Sequence, residues 1–179
     1  MRIYTKAGDD GTTGLFLGGR VSKADALMAA CGDIDEAVSV LGVARALADA
    51  ELAERVLSLQ RDLFVVAADL AANPRHRDRL QPGISAVTTA MVERLEGLID
   101  DAVADRPLRP VFVVPGGNSV SAALDLARTV VRRAERAAVR LRDNAVVTDE
   151  VCSYLNRLSD VIFVLARGAA DDEELPSHH

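Results

Sequence analysis

Arg128, Arg132, Glu135 and Arg136 recur at i, i+4, i+7 and i+8 in LDLARTVVRRAER, a spacing that places them on one helix face. Guanidinium groups gathered in this way suit a polyanion such as a triphosphate, because each offers planar N–H donors to phosphate oxygens. The competing reading is a solvated face with intrahelical pairs such as Arg132 to Glu135. A second candidate for phosphate is the opening Thr5-Lys6-Ala7-Gly8-Asp9-Asp10-Gly11-Thr12-Thr13-Gly14, followed by Gly18-Gly19-Arg20-Val21-Ser22-Lys23. Five of the 12 glycines fall between Gly8 and Gly19, so tight turns with converging N–H groups are available. Thr hydroxyls and Lys6 or Lys23 could complete the cage. No GxxxxGK[ST] occurs, so this is not a Walker A loop, and a flexible arm is the alternative.

Other reactive groups are sparse. Asp33, Asp35 and Glu36 stand together, either as paired carboxylates or as an ion-paired surface. Cys31 and Cys152 form no CxxC and read as buried thiols, which fits a reducing cytoplasm. His76 is the one histidine outside the terminal pair His178-His179, which is left out of any metal argument. There is no Ser-His-Asp or Cys-His candidate, and no metal ligand is assigned.

The helix presenting the arginines must begin after Pro115-Gly116-Gly117, which no helix interior tolerates. Asn118 or Ser119 can cap it. Leu124, Ala127, Val131, Ala134, Ala138 and Leu141 then give a buried seam that continues to about Arg142. Phe112-Val113-Val114, a short β-type run, precedes the glycines. The same alternation of threes and fours predicts helices over 22–48, from 50 to before Pro74, over 84–104, and from a Thr148 N-cap onward. Residues 73–83 read as a connecting loop, and 171–179 as an acidic, disordered tail. Five amphipathic helices with short connections predict an all-α, up-and-down bundle in a single domain over 1–179, with residues 1–23 as an arm.

Composition agrees. The chain is 49% hydrophobic but only 3% aromatic, which favours helices packed by small and aliphatic side chains. A net charge of -6 argues against general nucleic-acid or anionic-membrane binding, while leaving room for one anionic ligand on a local basic cluster. No apolar run approaches a membrane span.

Taken together, YTKAGDDGTTGL, GGRVSK, FVVPGG, LDLARTVVRRAER and YLNRLSDVIFVLAR resemble, in order and over nearly the whole chain, the ATP:cob(I)alamin adenosyltransferase family of the trimeric propanediol-utilisation type. The resemblance implies a homotrimer with sites between subunits, and transfer of the 5′-deoxyadenosyl group from ATP to the cobalt of cobalamin. Carried onto this chain, Thr5, Lys6, Ala7, Gly8, Thr13, Gly14 and Lys23 would wrap ATP. Arg132, Arg133, Glu135, Arg136 and Asn156 would complete that site. Arg128 would pair with Asp35 of the neighbouring subunit, and Phe112 would press on the lower corrin face. The family usually continues Asp-Glu with Leu-Asn, whereas Ala37-Val38 follow here, and an arginine common after the Val-x-Lys element is replaced near Leu27-Met28.

This chemistry needs few protein groups. Cob(I)alamin is itself a strong nucleophile, so displacement at C5′ calls for alignment and for stabilisation of the leaving triphosphate by Arg132, Arg136, arm amides and Mg²⁺. Making Co(I) is the harder step, and an apolar wedge at Phe112 would keep a lower axial ligand away. A reductase must supply the electron, and an adenosylcobalamin-dependent enzyme would receive the product. Two other classes remain compatible with the residues: an ATP-binding or ATP-hydrolysing bundle without corrinoid transfer, and a non-catalytic scaffold.

Overall fold

Asp25, not Ser22, starts the first helix: its Oδ1 accepts the Leu27 N–H at 2.8 Å, whereas Ser22 is already spent in a strand. A computed structural model describes residues 3–143, 146–170 and 174–178. Within them run β1 (Thr12–Gly14), β2 (Arg20–Ser22), α1 (Ala26–Leu47), α2 (Ala50–Leu70), α3 (Thr89–Asp105), α4 (Ser119–Arg142) and α5 (Asp149–Ala169). The all-α bundle predicted from periodicity is present, with one small antiparallel hairpin added where a plain arm was expected.

Three further boundaries differ from the sequence reading. α3 begins at Thr89 rather than Ile84, because residues 81–86 close turns on the Gln81 carbonyl before Thr88 caps the Met91 N–H at 3.3 Å. Part of the 73–83 loop is a 3-10 segment, Pro74–Arg79, started by a proline that lacks the N–H a first turn does not need. Thr148 does precede α5, but its hydroxyl makes no capping hydrogen bond; Asp149 and Glu150 supply the favourable charge there.

α4 packs against both α1 and α5, α1 against α2, and α3 against α5. Small side chains allow close packing of α1 on α4: Ala30, Ala37 and Ala44 on one helix and Ala127, Ala134 and Ala138 on the other are all fully or nearly fully buried. Leu41, Leu63, Leu95, Leu124 and Leu155 fill the remainder at 0% exposure, each contributing about 2 kcal/mol by burial. Polar ties cross this core. The Tyr154 hydroxyl donates to Asp62 Oδ2 at 2.8 Å, and Arg94 pairs with the same carboxylate, so α2, α3 and α5 meet at one point. Asp69 at the end of α2 accepts the Val87 N–H at 2.8 Å and pairs with Arg77, which fixes the long connection to α3.

Successive helices run antiparallel, so the bundle has two ends. The hairpin sits at the end where α2 finishes, joined there by Phe16 N–H to the Ala71 carbonyl at 2.8 Å and Asn73 N–H to the Phe16 carbonyl at 2.9 Å. The Phe112 segment lies at the opposite end, where α4 begins. Among the described residues no helix is long and apolar enough to cross a membrane.

Candidate functional site

The Gly-rich opening is a folded loop. Gly11, Gly18 and Gly19 take positive φ of 79°, 93° and 89°, and Lys6 joins them at 61°, a conformation that curls the chain back on itself. Arg20, to which no role was assigned from sequence, holds the loop in shape. It donates through Nη2 to the Ala7 carbonyl at 2.6 Å and through Nε to Thr12 Oγ1 at 2.9 Å, and lies 3.6 Å from Asp10. The Thr12 N–H and hydroxyl both donate to Asp10 and hold its carboxyl below the usual range. Pairing of Gly14 with Arg20 across β1 and β2 is what brings this guanidinium over the loop. TTG and RVS on either side of Gly18-Gly19 suit a hairpin, but they do not announce its register.

Of the residues predicted to wrap ATP, Thr5 accepts the Ala7 N–H at 3.4 Å, and Thr13 and Gly14 lie in β1. A Cβ on Gly8 would come 3.0 Å from Lys23 Nζ and 3.2 Å from the Thr12 carbonyl, so only glycine lets that ammonium rest against the loop. Lys23 therefore rests against the loop at Gly8, while Lys6 and Ala7 are exposed beside it in sequence.

α4 carries the basic face as predicted, but its members part company. Arg133 is engaged within the chain: its Nε donates to Asp33 Oδ1 at 2.9 Å and its Nη2 to Glu36. The two carboxylates raise its pKa above the ordinary guanidinium value. Asn156 of α5 donates to Glu135 Oε1 at 2.9 Å, which replaces the intrahelical Arg132–Glu135 pair considered from sequence. Arg132 and Arg136 remain exposed, with no ion-pair partner among the described residues. All five sit on the half of the bundle that carries the hairpin, since Arg133 meets the first half of α1.

At the other end, Phe112 is 84% exposed and so is no core aromatic. The predicted β-run is not part of a sheet; Val113 instead forms one antiparallel bridge with Pro176. Beyond it Gly116 takes φ 116°, and Gly117 packs so closely on the Ala170 carbonyl that a Cβ would lie 3.2 Å away. Asn118 closes a capping box with Ser121 and donates to the Ala169 carbonyl, fixing the start of α4 to the end of α5. Beside this segment a cleft of about 890 Å³ is lined by Leu108, Arg109, Val113, Phe163 and Arg167. Of the disordered tail predicted over 171–179, residues 174–178 are instead attached here; 171–173 and 179 lie outside the described residues.

Arg128 does not meet Asp35 within the chain. Its Nε lies 3.5 Å from Asp125 Oδ1 and its guanidinium 5.9 Å from the Phe163 ring centroid, while Asp35 is exposed on α1. Among the described residues no three carboxylate, histidine or cysteine side chains form a metal-binding group. Cys31 and Cys152 are free thiols; Cys152 is buried as expected, whereas Cys31 is half-buried on α1, and desolvation pushes its thiol up to about 11.

Residues 3–169 match the family model for cobalamin adenosyltransferase. The corrinoid adenosyltransferase of Mycobacterium tuberculosis is 43% identical over 182 residues, covering 97% of this chain and 91% of that one. Corrinoid adenosyltransferase PduO of Salmonella typhimurium is 36% identical over 173 residues, 96% of this chain and 51% of its own longer chain. A variant PduO-type ATP:corrinoid adenosyltransferase from Lactobacillus reuteri, complexed with cobalamin and ATP, superposes with a TM-score of 0.87 at 32% identity, covering 99% and 100% of the two chains.

Proposed function

The chain belongs to the cobalamin adenosyltransferase family and is an ATP:cob(I)alamin adenosyltransferase, and we propose that it works with the arm and α4 on ATP and with Phe112 on the corrinoid. In the reaction the Co(I) electron pair attacks C5′ of ATP, a Co–C bond forms, the C5′–O bond breaks, and triphosphate departs with that bonding pair. No protein nucleophile or base is required. The protein's task is alignment and charge stabilisation.

One observation carries the residue assignment: among the described residues Arg132 and Arg136, on the hairpin side of the bundle, have no ion-pair partner, while Arg133 and Arg20 are consumed by internal bonds. Uncommitted guanidiniums on the hairpin half of the bundle can receive phosphate oxygens without first breaking a bond. Arg133, Glu135 and Asn156 then form the wall behind them, and Thr5, Lys6, Ala7, Gly8, Thr13, Gly14 and Lys23 the opposite one. Mg²⁺ would arrive on the triphosphate, since phosphate oxygens and water satisfy its octahedral shell and few protein ligands are needed. From the start of α4 to Arg132 is about 20 Å along the helix, room for a corrin ring and the 5′ side of ATP to lie in line between Phe112 and the arginines.

Phe112 is exposed together with Val111, Val114 and Leu175, an apolar patch of the kind that marks a binding surface, and the lower face of a corrin is a flat apolar partner. Phe112 there would exclude both water and the nucleotide base, removing the axial ligand that makes Co(II) hard to reduce. Asp35, exposed and unpaired, and Arg128 are the natural contacts for a homotrimer with sites between subunits. An external reductase supplies the electron, and an adenosylcobalamin-dependent enzyme takes the product, in a reducing compartment that keeps Cys31 and Cys152 free.

The test is an anaerobic assay with ATP, Mg²⁺ and chemically reduced cob(I)alamin. Growth of a light-sensitive alkylcobalamin spectrum with stoichiometric triphosphate is expected. ATP binding without any spectral change would favour a bundle that binds ATP and has lost corrinoid transfer.

A further inference from the structure

Arg167 near the end of α5 is only 8% exposed, yet it is a cation among carboxylates from two separate parts of the chain. Its Nη2 donates to buried Asp125 of α4, and its Nε lies 2.5 Å from Glu174 Oε1, which is itself nearly enclosed. The Arg167 and Arg128 guanidiniums both stand over the Phe163 ring, at 5.2 and 5.9 Å from its centroid. A buried arginine so arranged is costly to displace, because its withdrawal would leave two enclosed carboxylates without cation or solvent. What it holds is the segment that begins at Glu174. That segment runs antiparallel to the Phe112 strand: Val114 N–H donates to the Leu175 carbonyl and Ser177 N–H to the Phe112 carbonyl, both at 2.8 Å. Arg109 adds a bond to the Glu174 carbonyl at 3.3 Å.

Phe112 has no packing of its own to fix it, being 84% exposed, and it follows a loop with Pro107 and Pro110. Its backbone is therefore fixed by segment 174–177, and that segment by Arg167. We infer that Asp125, Arg167 and Glu174 form a positioning clamp, which acts through residues 174–177 to hold Phe112 in the place where it excludes a lower axial ligand from cobalt. None of the three touches the reacting atoms. The inference rests on the corrinoid role of Phe112 given above.

Glu174→Gln keeps the shape of the side chain and removes its charge; Arg167→Lys keeps the charge and loses the fork and the ring contact. Two readouts on the full-length protein test the clamp. The first, without corrinoid, is amide exchange at Val114 and Ser177, expected to speed up roughly tenfold in Glu174→Gln while core amides of α4 are unchanged. The second is the electron paramagnetic resonance spectrum of bound cob(II)alamin with ATP present. Wild type is expected to show loss of the lower axial ligand, and Glu174→Gln a fraction of that species reduced several-fold, with ATP affinity unchanged. Arg167→Lys is expected to behave likewise. Unchanged exchange at Val114 and Ser177 would overturn the clamp. Faster exchange with the wild-type cobalt spectrum would overturn its role in placing Phe112. Wild type that never loses the axial ligand would instead overturn the reading of Phe112 itself, and the clamp's role with it.

Discussion

Arg133 reaches across from α4 to Asp33 of α1 at 2.9 Å, while Arg132, one residue earlier on the same helix, is exposed with no ion-pair partner among the described residues. A rotation of about 100° per residue separates a structural arginine from a ligand-ready one. Arg132→Ala is therefore expected to abolish ATP use while leaving thermal unfolding within a degree or so of wild type. Arg133→Ala should lower the melting temperature by a few degrees, since Asp33 and Glu36 lose their shared cation. Calorimetry beside isothermal titration with ATP distinguishes the two, and a melting loss in Arg132→Ala equal to that in Arg133→Ala would contradict the division.

Phe112→Ala separates reduction from transfer. The ring buries almost nothing within the chain, so its removal should change stability by less than about 0.5 kcal/mol. ATP binding should persist, because the arginines proposed to hold phosphate begin about 20 Å further along α4. Turnover that starts from cob(II)alamin and a reductant should collapse, whereas adenosylation of chemically prepared cob(I)alamin should survive in large part. Equal losses in both assays would point to a general binding role for the ring.

ATP bound only by the native protein adds stability by mass action. At one hundred times Kd the gain is about 2.7 kcal/mol, which a melting curve resolves easily. A scaffold with no ligand would show no shift. Glycine 8 gives a sharper version: Gly8→Ala sets a Cβ 3.0 Å from Lys23 Nζ, so the shift should shrink while the melting point without ATP stays put.

The helices are legible because burial writes its period into the chain: Leu27, Ala30, Ile34, Ala37, Leu41, Ala44 and Ala48 repeat by threes and fours, and all are buried except Ala48, which lies past the last turn of α1 as its half-buried C-cap. Arg132 and Arg136 were legible for the complementary reason, as charges repeating on the uncovered face. The hairpin and the clamp were not. Arg20 works through pairings whose register no local pattern announces, and Glu174 meets Arg167 and Asp125 only because α4 and α5 end side by side. Local periodicity reports which face of an element is covered; it does not report which distant charge a buried arginine selects. The tail was read as disordered because acidity and lack of period are all that sequence shows of it, whereas its order comes from backbone bonds to Val114 and Phe112.

Tyr154 offers a stability prediction with a sign set by its surroundings. The phenol is fully buried, and burial, with the Asp62 carboxylate beside it as a further cause, raises its pKa well above the ordinary tyrosine value. Below about pH 10 the hydroxyl is protonated in both folded and unfolded chains, and its hydrogen bond to Asp62 contributes in full. Above that pH the unfolded chain releases the proton while the folded chain retains it, so the unfolded state binds fewer protons and stability falls. For one proton the slope is about 1.4 kcal/mol per pH unit. Tyr154→Phe should cost about 1 kcal/mol at pH 7, with Arg94 still paired to Asp62, and should remove this component of the alkaline slope. Urea titrations of wild type and Tyr154→Phe between pH 8 and pH 11 measure both quantities. The two stability curves should converge as pH rises, and curves that stay parallel would mean that the Tyr154 phenol ionises as readily in the folded protein as in the unfolded chain.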